Sequence, residues 1–377
     1  MVMESLTTTQ DFTRIAVDDI PLIDVRAPVE FKAGAFPNAV NLPIMDDQDR
    51  HLVGICYKQK GREAAFDLAY RRVSGIKKEE RIEAWLEFHR KNPQALFYCF
   101  RGGMRSKTAQ EWLLQHSGEA VARLQGGYKA LRRFLIEAID PENFQGIPVI
   151  LGGRTGSGKT ILLRQLHNSI DLEALANHRG SAFGGFLTGQ PTQIDFENSL
   201  AFALIKHGHK RYRYIVLEDE GSYVGARYIP LELARYFKRD SMVLLECDLD
   251  TRIDITWREY VVDAQRQFGS FYGEEAALAH WLEHMQSRLQ CIRKRLGGER
   301  LKRVLNLLDA GHREQLVSGD PHGHRLWVEL LLTEYYDPMY DYQIEKSGRR
   351  ILFRGDFQEV LEYLSNLEEI GDGVSKK

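Results

Sequence analysis

Two parallel α/β sheets in tandem, the second continued by a helical C-terminal region, are the fold that the sequence predicts. Three observations lead to it. Short apolar strands alternate with helical stretches over the first 140 residues, a second alternation of the same kind begins at Ile147, and from about Ile255 the periodicity is almost wholly helical. Strands separated by helices favour parallel sheets covered by helices.

In chain order, Ile20–Val25, Ala39–Leu42 and Ala95–Tyr98 are expected as buried strands, each ending in a polar or glycine-containing turn. Between them Glu63–Val73 and Glu79–Arg90 carry helical spacing. Ile147–Leu151, Tyr214–Leu217 and Met242–Glu246 are β-rich and nearly free of charge, as central parallel strands are. Arg350–Phe353 is a late strand candidate. The stretch from Phe134 to Gly146, with Pro141, Gly146 and Pro148 around it, places a boundary near residue 140, so domains of 1–138 and 139–377 are expected.

A chain of 377 residues has length for two or three domains, each with its own core. It is 43% hydrophobic and 28% charged, an ordinary globular composition. The four cysteines, Cys56, Cys99, Cys247 and Cys291, lack the spacing of a zinc site. With no apolar segment near the start and no run long enough to span a bilayer, a cytoplasmic protein with reduced thiols and no membrane contact is expected. The net charge of −2 excludes a global electrostatic footprint for nucleic acid, so such a surface must be local. Arg288–Arg303 reads as one basic amphipathic helix, either a solvated face or a phosphate-backbone contact.

Cys99 follows the third strand and opens Cys99-Phe100-Arg101-Gly102-Gly103-Met104-Arg105-Ser106, after which Thr108–Leu114 looks helical. Loop amides and a helix N-terminus directed at the thiol, with Arg101 and Arg105 beside it, favour a thiolate and an anion together. Ile23-Asp24-Val25-Arg26, Glu30-Phe31 and Gly34-Ala35-Phe36-Pro37-Asn38-Ala39 precede it. This set resembles the signature of the rhodanese sulfurtransferases, and Cys99 falls where their catalytic cysteine falls. The resemblance implies a rhodanese-like parallel sheet and a cysteine that carries sulfur or selenium. Five residues separate Cys99 from Arg105, as in the phosphatase-like branch of that fold, and a loop of this length admits a bulkier anion.

The strand Ile147–Leu151 leads into Gly153-Arg154-Thr155-Gly156-Ser157-Gly158-Lys159-Thr160 and then the helical run Ile161–Leu166. This is the P-loop pattern in its required context: amides surround phosphate oxygens, Lys159 adds a point charge and Thr160 suits magnesium. Glu218-Asp219-Glu220 ends the strand Tyr214–Leu217, either as a polar turn or, with Asp219 beside Thr160, as the acidic side of a magnesium site. His178-Arg179-Gly180-Ser181 and Gln190-Pro191-Thr192-Gln193-Ile194-Asp195-Phe196-Glu197 suit an anionic or RNA ligand. On chemistry alone His178 reads as a satisfied surface or core histidine, and Phe183 and Phe196 as core.

A rhodanese-like half followed by a P-loop NTPase-like half, with these motifs in this order, resembles the bacterial tRNA 2-selenouridine synthases over nearly the whole chain. The resemblance implies a selenotransferase that replaces sulfur of wobble 2-thiouridine in tRNA with selenium from selenophosphate. It further implies geranylation of that sulfur by geranyl diphosphate as the preceding step. Cys99, Arg101 and Arg105 would then handle selenium, and Gly153–Thr160 the prenyl diphosphate. His178, Arg179, Ser181, Glu218 and Asp219 would serve substrate or magnesium. Transient contact with the enzyme supplying selenophosphate is implied too, and Trp257, Tyr260, Phe268 and Tyr272 would join the basic helix in a tRNA surface. Two readings stay open beside it: an ATP-dependent tRNA sulfurtransferase using a Cys99 persulfide, and a regulatory protein that senses anions.

Overall fold

The computed structural model describes residues 6–238 and 241–367. Its contacts divide the chain into two compact units. One runs to Phe144 and takes up Pro191–Lys210; the other holds Gln145–Gln190 and the chain from Arg211. The return of twenty residues to the first unit is a feature that one cut near residue 139 does not describe.

The first unit is a five-stranded parallel sheet of β1 (Thr8–Thr9), β2 (Leu22–Asp24), β3 (Ala39–Asn41), β4 (Leu96–Tyr98) and β5 (Arg123–Leu124), in the order β1-β5-β4-β2-β3. β2 and β4 are wholly buried, as continuous apolar runs in a helix-covered parallel sheet should be. Trp85, Phe97 and Trp112 anchor the core, and Trp85 donates its indole N–H to Leu42 O at 2.8 Å. The helix expected over Glu63–Val73 belongs to a longer helical run, Asp47–Arg72, broken at Gly61, where φ is 83°.

Asp24 and Arg26, the polar pair of the IDVR motif, form a fully buried ion pair at 2.6 Å. Arg26 also donates to Gly34 O at 2.8 Å and lies 4.1 Å from the centroid of the Tyr128 ring. A buried charge pair is tolerated only when its remaining hydrogen-bonding groups are used in this way.

The helix Gln193–His209 belongs to this unit. Thr192 caps it, Asp195 accepts from Ala35 N at 2.6 Å, and Asn198 donates to Ala35 O at 2.6 Å while accepting from Arg132 at 2.8 Å. Glu197 takes the other arm of Arg132, and Lys206 pairs with Asp19 at 2.5 Å. The residues read as suited to an anionic ligand are therefore the seam that ties this helix to the Gly34–Pro37 loop, and Phe196 is core as expected.

The second unit is a five-stranded parallel sheet of β6 (Ile147–Gly152), β7 (Ser169–Ile170), β8 (Tyr214–Glu218), β9 (Ser241–Leu245) and β10 (Arg350–Gly355), in the order β10-β9-β6-β8-β7. The late strand is thus real and pairs in parallel with β9. The helices from Leu249 to Ser347 bury a second core around Trp281, Leu289, Val304, Leu308 and Trp327. Phe183, Tyr260 and Phe268 lie in it, so Tyr260 and Phe268 are unavailable as surface platforms; Tyr272 remains exposed. The basic segment is not one helix. It ends Glu274–Cys291, passes through Arg293–Leu296 and resumes at Gly298, because Gly297 takes φ 85°. Leu289, Ile292 and Leu296 point into the core, while Arg293, Lys294, Arg295 and Lys302 are exposed.

Replacing Asn198 with Ala strands Ala35 O and one arm of Arg132, and should cost about 2 kcal/mol of stability in urea denaturation. A loss below about 0.5 kcal/mol would mean that the seam does not hold the helix.

Candidate active sites

Cys99 leaves the C-terminal end of β4 buried, with Sγ 3.2 Å from Ser106 Oγ in the first turn of the helix Met104–Ser117. The loop between can curl because Gly102 takes φ 61° where a Cβ would stand 2.7 Å from Gly126 N. Gly127 closes the cradle from the other side: at φ 60° a Cβ there would lie 2.1 Å from Cys99 O. Tyr128 and Lys129 donate their amides to Cys99 O and Phe100 O at 2.9 and 3.0 Å, and Arg123 donates to Gly102 O. With these carbonyls engaged, the loop amides are the groups left to face an anion.

Arg105 does not stand free beside the thiol. It grips Glu30 with two hydrogen bonds of 2.5 and 3.2 Å, and Arg50 lies 3.9 Å from the same carboxylate. Burial pushes the Glu30 carboxyl up, but Arg105 outweighs it and holds the group below its ordinary range. The exposed cation of the loop is Arg101. Ser106, which sequence reasoning passed over, is the nearer neighbour of Cys99.

In the second unit, β6 runs into the phosphate loop and the helix Lys159–Leu163. Gly156 and Gly158 take φ 80° and 87°, and at Gly156 a Cβ would meet Thr256 Oγ1 at 2.4 Å. Arg252 braces the loop, donating from Nε to Thr155 O at 2.9 Å while its other nitrogens pair with Asp337 at 2.5 and 3.0 Å. Arg154 turns outward onto Asp341, with bonds of 2.8 to 3.1 Å. Ser157 Oγ is buried without a hydrogen-bond partner. Lys159 folds back onto Gly153 O at 2.6 Å and Arg154 O at 3.3 Å.

Carboxylates surround this lysine. Thr160 Oγ1 donates to Glu173 Oε2 at 3.2 Å, and Gly180 packs so tightly that a Cβ would lie 2.2 Å from Glu173 Oε1 and 2.4 Å from Glu220 Oε1. Burial raises Glu173 to about 7 and Glu220 to about 8, and lifts Glu218 as well. Burial lowers the Lys159 ammonium, against the pull of Glu173, Glu220, Asp219 and Glu218. Asp219 itself pairs with Arg349 at 2.5 Å. The structure thus sets Glu173 at the Thr160 hydroxyl, a residue without a motif to mark it, thirteen positions downstream.

The His178–Ser181 loop joins this cluster through Gly180. Arg179 pairs with Glu259 at 3.0 Å and covers Phe186, while Ser181 Oγ lies 2.7 Å from Tyr260 OH. His178 is half-buried, and burial together with Arg288 and Arg179 pulls its pKa down.

The profile described as a rhodanese-like domain matches residues 9–133, and that described as the tRNA 2-selenouridine synthase AAA domain matches residues 147–370. A relative from a Sulfurovum species, named tRNA 2-selenouridine synthase, is 49% identical over 362 residues, covering 96% of this chain and 99% of its own. The chain belongs to the tRNA 2-selenouridine synthase family. Relatives of the same name from Bordetella bronchiseptica and Hydrogenovibrio crunogenus are 47% and 49% identical, covering 94% and 95% of this chain and 97% and 98% of theirs. Among the described residues no helix is long and apolar enough to cross a membrane.

Gly127→Ala should destabilise the chain by about 2 kcal/mol or more and alter the alkylation rate of Cys99, because neither φ nor space admits a Cβ. Unchanged stability together with an unchanged alkylation rate would show that this approach does not shape the cradle.

Proposed function

We propose that the chain converts wobble 2-thiouridine of tRNA to 2-selenouridine, with selenophosphate as selenium donor and an S-geranyl intermediate made from geranyl diphosphate. The observation that carries this reading is the near-complete overlap with relatives of that name, on a chain that keeps both cradles. In the first step the thiouridine sulfur forms a C–S bond to the prenyl carbon as the C–O bond to diphosphate breaks. The leaving diphosphate is what the loop amides and Lys159 stabilise. To do so, Lys159 releases Gly153 O and turns its ammonium to the phosphates.

A magnesium ion fits this site on the chemistry of its donors: the Thr160 hydroxyl, the Glu173 carboxylate it bonds, and Glu218, whose Oε1 is buried without a hydrogen-bond partner. When bound it would neutralise charge on the diphosphate. Asp219 reaches it only by giving up Arg349.

In the second step, alkylation has made sulfur a good leaving group. Selenium bonds to C2, geranylthiolate departs, and water cleaves the Se–P bond to release phosphate. Cys99 guides the selenophosphate in its cradle, with Arg101 as the ready cation for it and Arg105 available if Glu30 lets go. The exposed Arg293, Lys294, Arg295 and Lys302, with Tyr272 stacked on His280 at 4.2 Å, supply a surface for tRNA phosphates and an unstacked base.

Measuring both half-reactions on tRNA separates the sites. Lys159→Ala should lower geranylation about 100-fold or more, and Cys99→Ala should spare geranylation while lowering selenation. Loss of geranylation in the cysteine variant alone would overturn the assignment. For the surface, replacing Arg293, Lys294 and Arg295 by Ala together should flatten the salt dependence of tRNA binding by about three contacts. An unchanged slope would make this a solvated face.

A further inference from the structure

Beside the phosphate loop, the second unit contains a cavity of about 470 Å³ that the reactions above leave unused. It opens at the C-terminal ends of β6 and β9, where the strand order reverses and parallel sheets collect their ligands. Gly153, Arg154 and Ser157 of the loop form one wall, so a ligand whose phosphates lie on the loop amides has this space for the rest of itself. The remaining walls include Leu244 and Leu245 at the end of β9, Cys247 after it, and Tyr340 and Ile344 on the helix Asp337–Ser347.

Charged side chains also line it, but most are spent on each other. Arg154 is held by Asp341, Arg252 by Asp337, and Arg354 lies 3.3 Å from Glu246. A nucleoside needs directional donors and acceptors to be fixed in a pocket. Outside those ion pairs the wall offers Leu244, Leu245, Ile344 and Cys247 as contact area, and Glu345 with the Ser157 and Tyr340 hydroxyls as polar groups. The pocket volume lies in the range of small-ligand sites, and Leu244, Leu245, Ile344 and Cys247 give it an apolar wall beside the loop.

We infer that this cavity holds the hydrocarbon chain of the prenyl diphosphate, and that Ile344, which lines it together with Leu244 and Cys247, sets the length of chain accepted. The inference rests on the reading that the phosphate loop holds a prenyl diphosphate. It adds where the chain lies and which residues measure it.

The test uses the full chain with dimethylallyl, geranyl and farnesyl diphosphates, and inorganic pyrophosphate as probe of the loop alone. Ile344→Trp should weaken geranyl diphosphate binding about ten-fold while changing pyrophosphate affinity less than about two-fold, and should turn the preference toward dimethylallyl diphosphate. Ile344→Ala should turn it toward farnesyl diphosphate. In the unaltered protein, geranyl diphosphate should slow alkylation of Cys247, read by peptide mass, while pyrophosphate at saturation should not. Equal effects of both substitutions on all three chain lengths, or no protection of Cys247, would overturn the inference. So would a loss of ATP binding in Ile344→Trp with prenyl binding intact, which would make the cavity a nucleoside site. Failure of the underlying reading looks different: pyrophosphate would not displace geranyl diphosphate from the unaltered protein, and Lys159→Ala would bind it normally.

Discussion

Both cradles depend on backbone coming closer to backbone than a side chain permits. An anion held by peptide amides needs several N–H groups to converge, which forces the chain through left-handed conformations at the end of a strand. Gly102 and Gly127 meet that demand around Cys99, and Gly156 and Gly158 meet it around the phosphate position. At Gly102, Gly127 and Gly156 a Cβ would collide with main chain or with a fixed side chain, and at Gly158 the φ of 87° alone sets the demand. The shape of the site is therefore set by the absence of side chains, and the groups that look catalytic are arranged around a form already determined.

That form still has to be held, and charged pairs hold it. Asp24–Arg26 anchors the Gly34 loop from within the first unit, and Glu30 fixes Arg105. Asp337 fixes Arg252, which in turn holds Thr155 O, and Glu259 fixes Arg179. Buried charges are costly to desolvate and are rarely kept without a partner. Most arginines of the motifs thus brace loops through these pairs. The cations left for an anion are Arg101, which is exposed, and Lys159, which among the described residues donates to two carbonyls of its own loop. A lysine among carboxylates that burial has pushed toward neutrality is an environment that a phosphate and a cation together would complete.

Much of this was legible in the sequence, for physical reasons that differ by element. The strands Leu22–Asp24, Leu96–Tyr98 and Ile147–Gly152 are short, apolar and bounded by turns, so local composition was enough to find them. The phosphate loop was legible because its glycines and lysine fall within eight consecutive residues between a strand and a helix. What escaped depends on partners distant in the chain. Asp195 and Glu197 look like ligand residues until Ala35 and Arg132, more than sixty positions away, are seen to use them. Arg105 and Asp219 look free until Glu30 and Arg349 appear, and Glu173 carries no pattern at all. Tyr260 and Phe268 have the spacing of a surface stripe but face a helical core that only the tertiary fold creates. Gly297 was visible in the sequence; what was not visible was that it takes the conformation that ends a helix.

The proposed chemistry gives the second unit a reason to keep a phosphate loop while altering its surroundings. In prenyl transfer no nucleophile attacks phosphorus; the bond that breaks is on carbon, and the protein's work on the phosphates is to stabilise them as they leave. Such a site needs converging amides, one mobile cation and a place for magnesium, and it has no use for a base that activates water near a terminal phosphate. It also needs dry space for a chain with no hydrogen-bonding groups, since water beside an allylic carbon would compete with the thiouridine sulfur. By satisfying each other, Arg154 with Asp341 and Arg354 with Glu246 leave the apolar side chains to decide what fits, so the ligand beyond the diphosphate is selected by length and bulk.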